Sequence, residues 1–382
     1  MRICLYTDTA LPKLGGQEMV VDALARQFLA LGHQPVVLAP KPRKLWIGRE
    51  TYPYEVVRHP RFYSTHLFVA WYRRFLLQQY HRQHFDVLHC HGIYPPTYLA
   101  ALLGAQLPTP IVVTSHGGDV YGENVRLQKP ALVERYAMGL RRADALVAIS
   151  RFTRDGFARL CPDVTPRIVD IPNGVHLDTF ARRSTTPPPG FDKLRPGEYA
   201  IFLGRLKYRK AADVLLQAIA RAALVTYPKL AIVGDGEEWA FLHVLRDQLG
   251  LNDNVHFFGS LSGDEKLHLL QNARFGVVPS RQWESFGLVV LEGYASGLPM
   301  IASDLPGLAD LVHPEKTGLL VRPESPDELA AALRRLFVDD TLVRRMGQAA
   351  KNVVQQYDWR IVAQRHLALY ESLLGSSQRL AA

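Results

Sequence analysis

The feature that most constrains this chain is an alternation that runs twice. Short apolar runs at Ile3–Tyr6, Pro35–Ala39, Val87–Cys90, Pro110–Thr114, Ala145–Ile149 and Arg167–Ile171 come first. Segments with apolar residues at helical spacing separate several of them: Glu18–Leu31, Thr97–Ala105, Lys129–Arg142 and Arg151–Leu160. Strands that are apolar on both faces, with helices between them, predict a parallel sheet covered on both sides. The pattern lapses between Gly174 and Glu198, where the proline-dense stretch Thr185–Gly190 reads as a surface excursion beside a boundary. It resumes at Tyr199–Leu203, Leu230–Val233, Val255–Phe258, Phe275–Val278 and Met300–Ala302, and three helices are expected after Pro326. At 382 residues the chain is too long for one ordinary α/β domain. Two doubly wound parallel-sheet domains are expected, residues 1–175 and 176–357.

Composition narrows the class. With 48% hydrophobic and 21% charged residues, the chain can bury a large core. Cys4, Cys90 and Cys161 form no disulfide framework, which points to a reducing, cytoplasmic setting. No signal peptide is expected, and no apolar run is long enough for a membrane span. The net charge of +9 is uneven: residues 1–170 hold 21 of the 45 Lys and Arg but 13 of the 36 Asp and Glu. An anionic membrane surface or a lipid-linked acceptor suits that half better than nucleic acid, for which no binding motif is present. Within residues 41–85, Trp46, Tyr52, Tyr54, Phe62, Tyr63, Phe68, Trp71, Tyr72 and Phe75 mingle with Arg and Lys. His66–His84 reads either as an interfacial helix or as one packed on its own sheet.

The stretch richest in chemistry is Pro279–Pro299, PSRQWESFGLVVLEGYASGLP. A strand feeds a polar loop, then a helix that ends at Gly297 before Pro299. Glu284 precedes the helix and Glu292 lies inside it, roughly 9–12 Å apart along the axis. That exceeds the spacing of about 5–9.5 Å used by paired glycosidase acids. It suits the two ends of a long ligand, with amides at Phe286, Gly287 and Leu288 forming an anion site between them. The alternative is a solvated loop acid and an ordinary helix acid.

Other motifs sit at strand ends. Gly15-Gly16 opens the first helix without completing a dinucleotide fingerprint, and Gly234-Asp235-Gly236 is likewise incomplete. His89 and His91 share a strand face but lack further spaced ligands for zinc. His116-Gly117-Gly118-Asp119 offers an imidazole and a carboxylate, with capping by Asp119 as the alternative. Arg205 and Lys210, in GRLKYRK, place two cations after a strand, where they suit a pyrophosphate or form ordinary surface charge.

In this order and spacing the segments resemble the retaining glycosyltransferases of family 4, the group 1 transferases with the GT-B fold. The resemblance runs nearly end to end. Its pieces are Gly15-Gly16, Gly32-His33, His89–His91, His116–Asp119, Ile149-Ser150, Pro172–Val175 with Asp178 and Phe180, Gly204–Leu206 with Lys210, Gly234–Gly236, Val255–Gly259, and Glu284–Gly287 through Glu292. The last is similar to the family's E-x7-E element. The resemblance implies two Rossmann-like domains facing across a cleft, with helix 358–374 returning to the first.

It also implies roles. Glu292 would hold the ribose of a UDP- or GDP-sugar, and Glu284 the hydroxyls of the transferred sugar. Arg205, Lys210, Gly15 and Gly16, with Ser285 and the amides of Phe286 to Leu288, would hold the pyrophosphate, and Leu261 would lie beside the base. His116 would sit near the reacting carbon, with His91 and Asp119 on the acceptor side. No metal or other cofactor is implied. Two departures stand out: Lys210 is followed by Ala211 where the family has glycine, and Leu305-Pro306-Gly307 replaces a glycine pair. The implied activity is sugar transfer with retention to an acceptor alcohol, in cell-surface glycan or glycolipid synthesis. A phosphorylase, a sugar-nucleotide epimerase or a catalytically silent binding subunit are the alternatives.

Overall fold

The computed structural model describes residues 1–13, 15–42, 51–61, 67–222 and 228–381, with side chains to residue 376. Trp46, Phe62, Tyr63 and His66 lie outside the described residues. The chain divides into two units, Met1–Asn173 with Trp359–Ala382, and Gly174–Asp358.

The first unit is built on seven parallel strands: β1 (Arg2–Thr7), β2 (Gln34–Pro40), β3 (Glu55–His59), β4 (Val87–His91), β5 (Ile111–Thr114), β6 (Ala145–Ala148) and β7 (Ile168–Asp170). They are ordered β3-β2-β1-β4-β5-β6-β7. The second unit holds β8 (Tyr199–Leu203), β9 (Lys229–Val233), β10 (Val255–Phe257), β11 (Phe275–Val278), β12 (Met300–Ser303) and β13 (Gly318–Val321), ordered β10-β9-β8-β11-β12-β13. Every pairing is parallel. The fold is thus two Rossmann-like α/β units.

Each sheet reverses its winding once, between β1 and β4 and between β8 and β11. At such a point the loops leaving the two strands diverge to opposite faces, and a crevice opens at the carboxyl edge. Pairing of Thr7 with His91 and of Phe202 with Val277 sets the register there. The Gly15-Gly16 turn and His91 therefore belong to one reversal point, and Gly204–Lys210 and Glu284 to the other.

Both sheets are clothed by apolar helix faces. Residues such as Leu76, Leu99 and Leu140 are fully buried in the first unit, as are Leu215, Leu270 and Leu333 in the second. Each such burial is worth about 1.5–3 kcal/mol. Helix starts follow local chemistry: Ser150 makes a reciprocal cap with Thr153, and Ser325 accepts from the Glu328 amide. The final helix, Trp359–Ala381, packs on Gly16–Ala30, with Phe28 edge-on to Tyr370 at 5.8 Å.

Some expectations need correction. β3 and β13 were not foreseen in the sequence. A single helix over Thr97–Ala105 does not form. Pro95 and Pro96 help confine the chain to a wide turn at Ile93–Thr97, then a helix Tyr98–Ala101 and a 3-10 turn Gly104–Gln106. The helix within the basic aromatic region is Val69–Gln83, and it packs on its own sheet: Tyr72 and Leu76 are buried, and Trp71 stacks on Phe75 at 5.4 Å. Among the described residues no helix is long and apolar enough to cross a membrane.

Candidate active site

The second unit carries a charged cluster at its own reversal point. β11 ends at Val278, and the chain then turns through Ser280 to Glu284, which is 6% exposed. One carboxylate oxygen, Oε1, accepts from Ser280 Oγ at 2.8 Å, from Arg209 Nη1 at 3.0 Å and from Lys210 Nζ. Burial alone would raise the Glu284 pKa. The Lys210 ammonium and the Arg209 guanidinium outweigh it and hold the group below its ordinary range. Oε2 has no hydrogen-bond partner among the described residues. Arg209 is fixed in turn by the Trp283 carbonyl at 2.9 Å and lies over the Trp283 ring at 4.5 Å.

The helix that follows is Leu288–Ala295, and Gly287 precedes it at φ +99°, a conformation that favours glycine. The Phe286, Gly287 and Leu288 amides donate to no group among the described residues, leaving a cationic helix end one turn from Glu284. Gly307 explains part of the Leu305-Pro306-Gly307 departure. A Cβ there would lie 2.1 Å from the Glu284 carbonyl oxygen, so this glycine lets the next loop close on the Glu284 backbone.

Glu292 lies in the helix, partly exposed, and pairs with Lys266 at 2.8 Å. Lys210 and Glu284 are thus brought together, whereas Arg205 is exposed and forms no ion pair among the described residues. Leu261 and Ser285 are partly buried. Sequence reasoning passed over Arg209 and Lys266. Arg209 was visible beside Lys210 in GRLKYRK, but nothing in the sequence pairs Lys266 with Glu292.

Ala211, next to Lys210, occupies a backbone position that favours glycine. It sits at φ +52°, fully buried, as the residue before helix Ala212–Arg221. A β-carbon in that left-handed conformation costs roughly 1–2 kcal/mol.

The first unit's reversal point combines a cluster of imidazoles with one buried carboxylate, Glu18, held by Lys13. Gly15 has extended backbone, φ −175°, and the space beside its Cα is taken by the Glu18 carboxylate. Glu18 is 3% exposed and bonds Thr9 Oγ1 and Lys13 Nζ, each at 2.6 Å. The helix end at Gly16 thus already holds an anion supplied by the chain, a residue the sequence reading did not single out. The Gln17 amide ties the loop to both strands, donating to Thr7 Oγ1, to Asp8 Oδ1 and to the His91 carbonyl.

His91 Nδ1 lies 3.0 Å from His116 Nε2. Burial pushes the His116 pKa down to about 4 and that of His91 well below its ordinary value. Asp119 accepts from the Ile93 amide at 2.8 Å and from Ser115 Oγ, and burial raises its pKa despite those bonds. His89 is spent inside the unit, on Tyr370 OH at 2.6 Å and Thr114 Oγ1 at 2.7 Å. The structure therefore places His91, His116 and Asp119 together, with Gly15 and Gly16 on the neighbouring loop.

Comparisons with known proteins agree with this architecture. Residues 14–179 match the family model described as Glycosyltransferase Family 4, and residues 191–353 match that of Glycosyl transferases group 1. The phosphatidyl-myo-inositol mannosyltransferase of Mycobacterium leprae is 30% identical over 395 residues, covering 100% of this chain and 99% of the relative. The sucrose-phosphate synthase of Thermosynechococcus elongatus superposes with TM-score 0.79 at 24% identity, over 98% of this chain and 99% of that one. HepE of Anabaena, in complex with UDP-glucose, gives TM-score 0.79 at 20% identity, over 97% and 100%. The fold and the two family matches define a GT-B glycosyltransferase. Within that class, this chain belongs to the group 1, family 4 glycosyltransferases.

Proposed function

We propose that the protein transfers a sugar from a UDP- or GDP-sugar to an acceptor hydroxyl with retention of configuration. The observation that carries this reading is Glu284, buried as a carboxylate by Lys210 and Arg209 with its second oxygen unspent. Oε2 is assigned to a hydroxyl of the transferred sugar. The diphosphate goes to Lys210, Arg205 and the amides of Phe286 to Leu288, whose fixed charges stabilise the leaving group as negative charge develops on it, with Ser285 beside them. Glu292 is assigned to the ribose, and Leu261 to the side of the base. Within the first unit, substrate contacts are assigned to Gly15, Gly16, His91, His116 and Asp119, with His116 assigned to the reacting carbon.

No side chain is assigned the role of nucleophile. The donor phosphate takes the acceptor's proton on the same face from which the alcohol attacks, so one C–O bond breaks as another forms. Charge neutralisation falls to the protein's cations, and no step is assigned to a metal. Turnover that persists in EDTA agrees with this, and turnover abolished by EDTA and restored by a divalent ion contradicts it.

A thermal-stability screen of UDP- and GDP-sugars tests the donor assignment. A bound donor at 100 times its Kd adds about 2.7 kcal/mol of stability. One nucleotide series is expected to raise the melting point, and no shift from either would overturn the reading. The acceptor is assigned to a lipid-linked or glycan alcohol, in keeping with the basic first half and with a relative named for phosphatidyl-myo-inositol. Flotation with anionic vesicles at low and high salt tests whether that half also meets a membrane surface, and absence of low-salt binding would end that part of the reading.

A further inference from the structure

His91 ends β4, fully buried, and its ring stacks on that of His116 with centroids 5.3 Å apart and planes 19° apart. Its Nδ1 shares a hydrogen bond with His116 Nε2 at 3.0 Å. Its other nitrogen, Nε2, is buried and has no hydrogen-bond partner among the described residues. Burial keeps both rings neutral, so one proton lies between them and two arrangements exist.

In the first arrangement His116 donates from Nε2–H. His91 then accepts at Nδ1 and carries its own proton on Nε2, which is a buried N–H with no acceptor. In the second, His91 donates from Nδ1–H, and its unpartnered Nε2 is only a bare lone pair. Orphaned buried N–H groups are the rarer of the two defects, and an unmade donor bond costs the full desolvation of the group. The second arrangement also fixes His116. Its Nε2 is the acceptor, so its proton must sit on Nδ1, which has no partner among the described residues but, unlike His91 Nε2, belongs to a half-buried ring and is not sealed from solvent, so this N–H is not an orphaned buried donor. A free imidazole side chain in water prefers the opposite tautomer, so this one needs a neighbour to hold it.

We propose that His91 is a positioning residue that locks His116 in its Nδ1–H form, so that His116 offers a substrate oxygen a hydrogen-bond donor and not a base. This rests on the placing of His116 in the reaction site. The tautomer itself can be read without any substrate.

The experiment is a long-range proton–nitrogen NMR spectrum of protein labelled with 15N-histidine, near neutral pH, with His116 assigned by its loss in His116→Asn. The expected result for the unaltered protein is a protonated Nδ1 and a bare Nε2 on His116. In His91→Leu the His116 signals are expected to move toward the Nε2–H form. Turnover should then fall about 10–100-fold, the range typical of lost positioning bonds, with the donor KM little changed. His91→Asn, whose side-chain amide can replace the donor, is expected to restore both. An Nε2–H tautomer in the unaltered protein overturns the proposal. So does a folded His91→Leu whose His116 signals and turnover are unchanged. If His91→Leu does not fold, the spectrum of the unaltered protein decides alone. Failure of the transferase reading would look different: no nucleotide sugar would bind, with the Nδ1–H tautomer still present.

Discussion

At the β8/β11 edge, Glu284 stays charged under burial because two cations and a hydroxyl converge on one of its oxygens. At the β1/β4 edge, His89, His91, His116 and His366 meet the same desolvation by giving up their charge. The topology is the same and the solutions are opposite. A buried charge is tolerated when it is paired and hydrogen-bonded, and otherwise the group neutralises. Under the proposed function, the difference would suit two kinds of ligand. A diphosphate calls for preset cations and amides. An alcohol calls for neutral donors and acceptors that do not trap ions.

Breaking the charged side should have the largest effect. Lys210→Ala is expected to cost about 100- to 1000-fold in turnover, or roughly 2.7–4 kcal/mol of transition-state stabilisation. Glu284 would remain held by Arg209 and Ser280, so circular dichroism should show a folded variant. Near-normal turnover in steady-state kinetics would show that Lys210 serves only to keep Glu284 ionised.

Acid should separate the two edges next. The four histidines have folded pKa values below their ordinary 6.5, about 4 for His116 and about 3 for His366. Unfolding lets them bind protons, so their contribution is whole above about pH 6.5 and is lost as pH falls toward those values. Each contributes a slope of about 1.4 kcal/mol per pH unit in that window. Glu284 is depressed below 4.5, so its stabilisation persists down to that range and fails only as pH drops through its folded value. Asp8 and Asp119, raised by burial, act in the opposite sense, but in the carboxylate range. His243 and His256 of the second unit shift downward too but are only partly buried. Hydrogen-exchange protection factors at pH 7 and 5 should fall more for β4 and β5 than for β11 and its following helix. Equal loss in both would contradict the contrast.

Smaller effects sharpen it. Glu292→Ala is expected to weaken nucleoside-diphosphate binding about tenfold, the loss of about 1.4 kcal/mol expected for a hydrogen bond to a charged group, with turnover at saturation nearly intact. Ala211→Gly relieves a left-handed β-carbon, offset by glycine's extra unfolded-state entropy and the lost methyl contact. A gain of at most about 1 kcal/mol is expected in urea unfolding.

The reach of the sequence follows the same division. Strands buried on both faces announce themselves as continuous apolar runs, which is why β1, β4, β8 and β11 were legible. β3 escaped because it is an edge strand whose residues Glu55 and Arg58 are exposed or half-buried, so its composition reads as loop. The expected Thr97–Ala105 helix failed because Gly104, inside it, takes φ +51°, which apolar spacing does not reveal. At the two sheet edges, Glu284 and Lys210 in one unit and His91 and His116 in the other were visible because each lies at or just after a strand end, and the strand order of its own sheet brings those ends together. Pairings between elements, such as Lys266 with Glu292 or Tyr370 with His89, were not, because they depend on side-chain reach across helices that no local pattern records.

The proposed function requires the β8/β11 edge to be a preformed diphosphate site. Isothermal titration of UDP and GDP into the unaltered protein, Lys210→Ala and His116→Ala tests it most directly. The account expects one nucleotide to bind the unaltered protein, to bind Lys210→Ala at least about tenfold more weakly, and to bind His116→Ala almost as before. Equal affinity in the unaltered protein and Lys210→Ala, or no binding of either nucleotide, would contradict it.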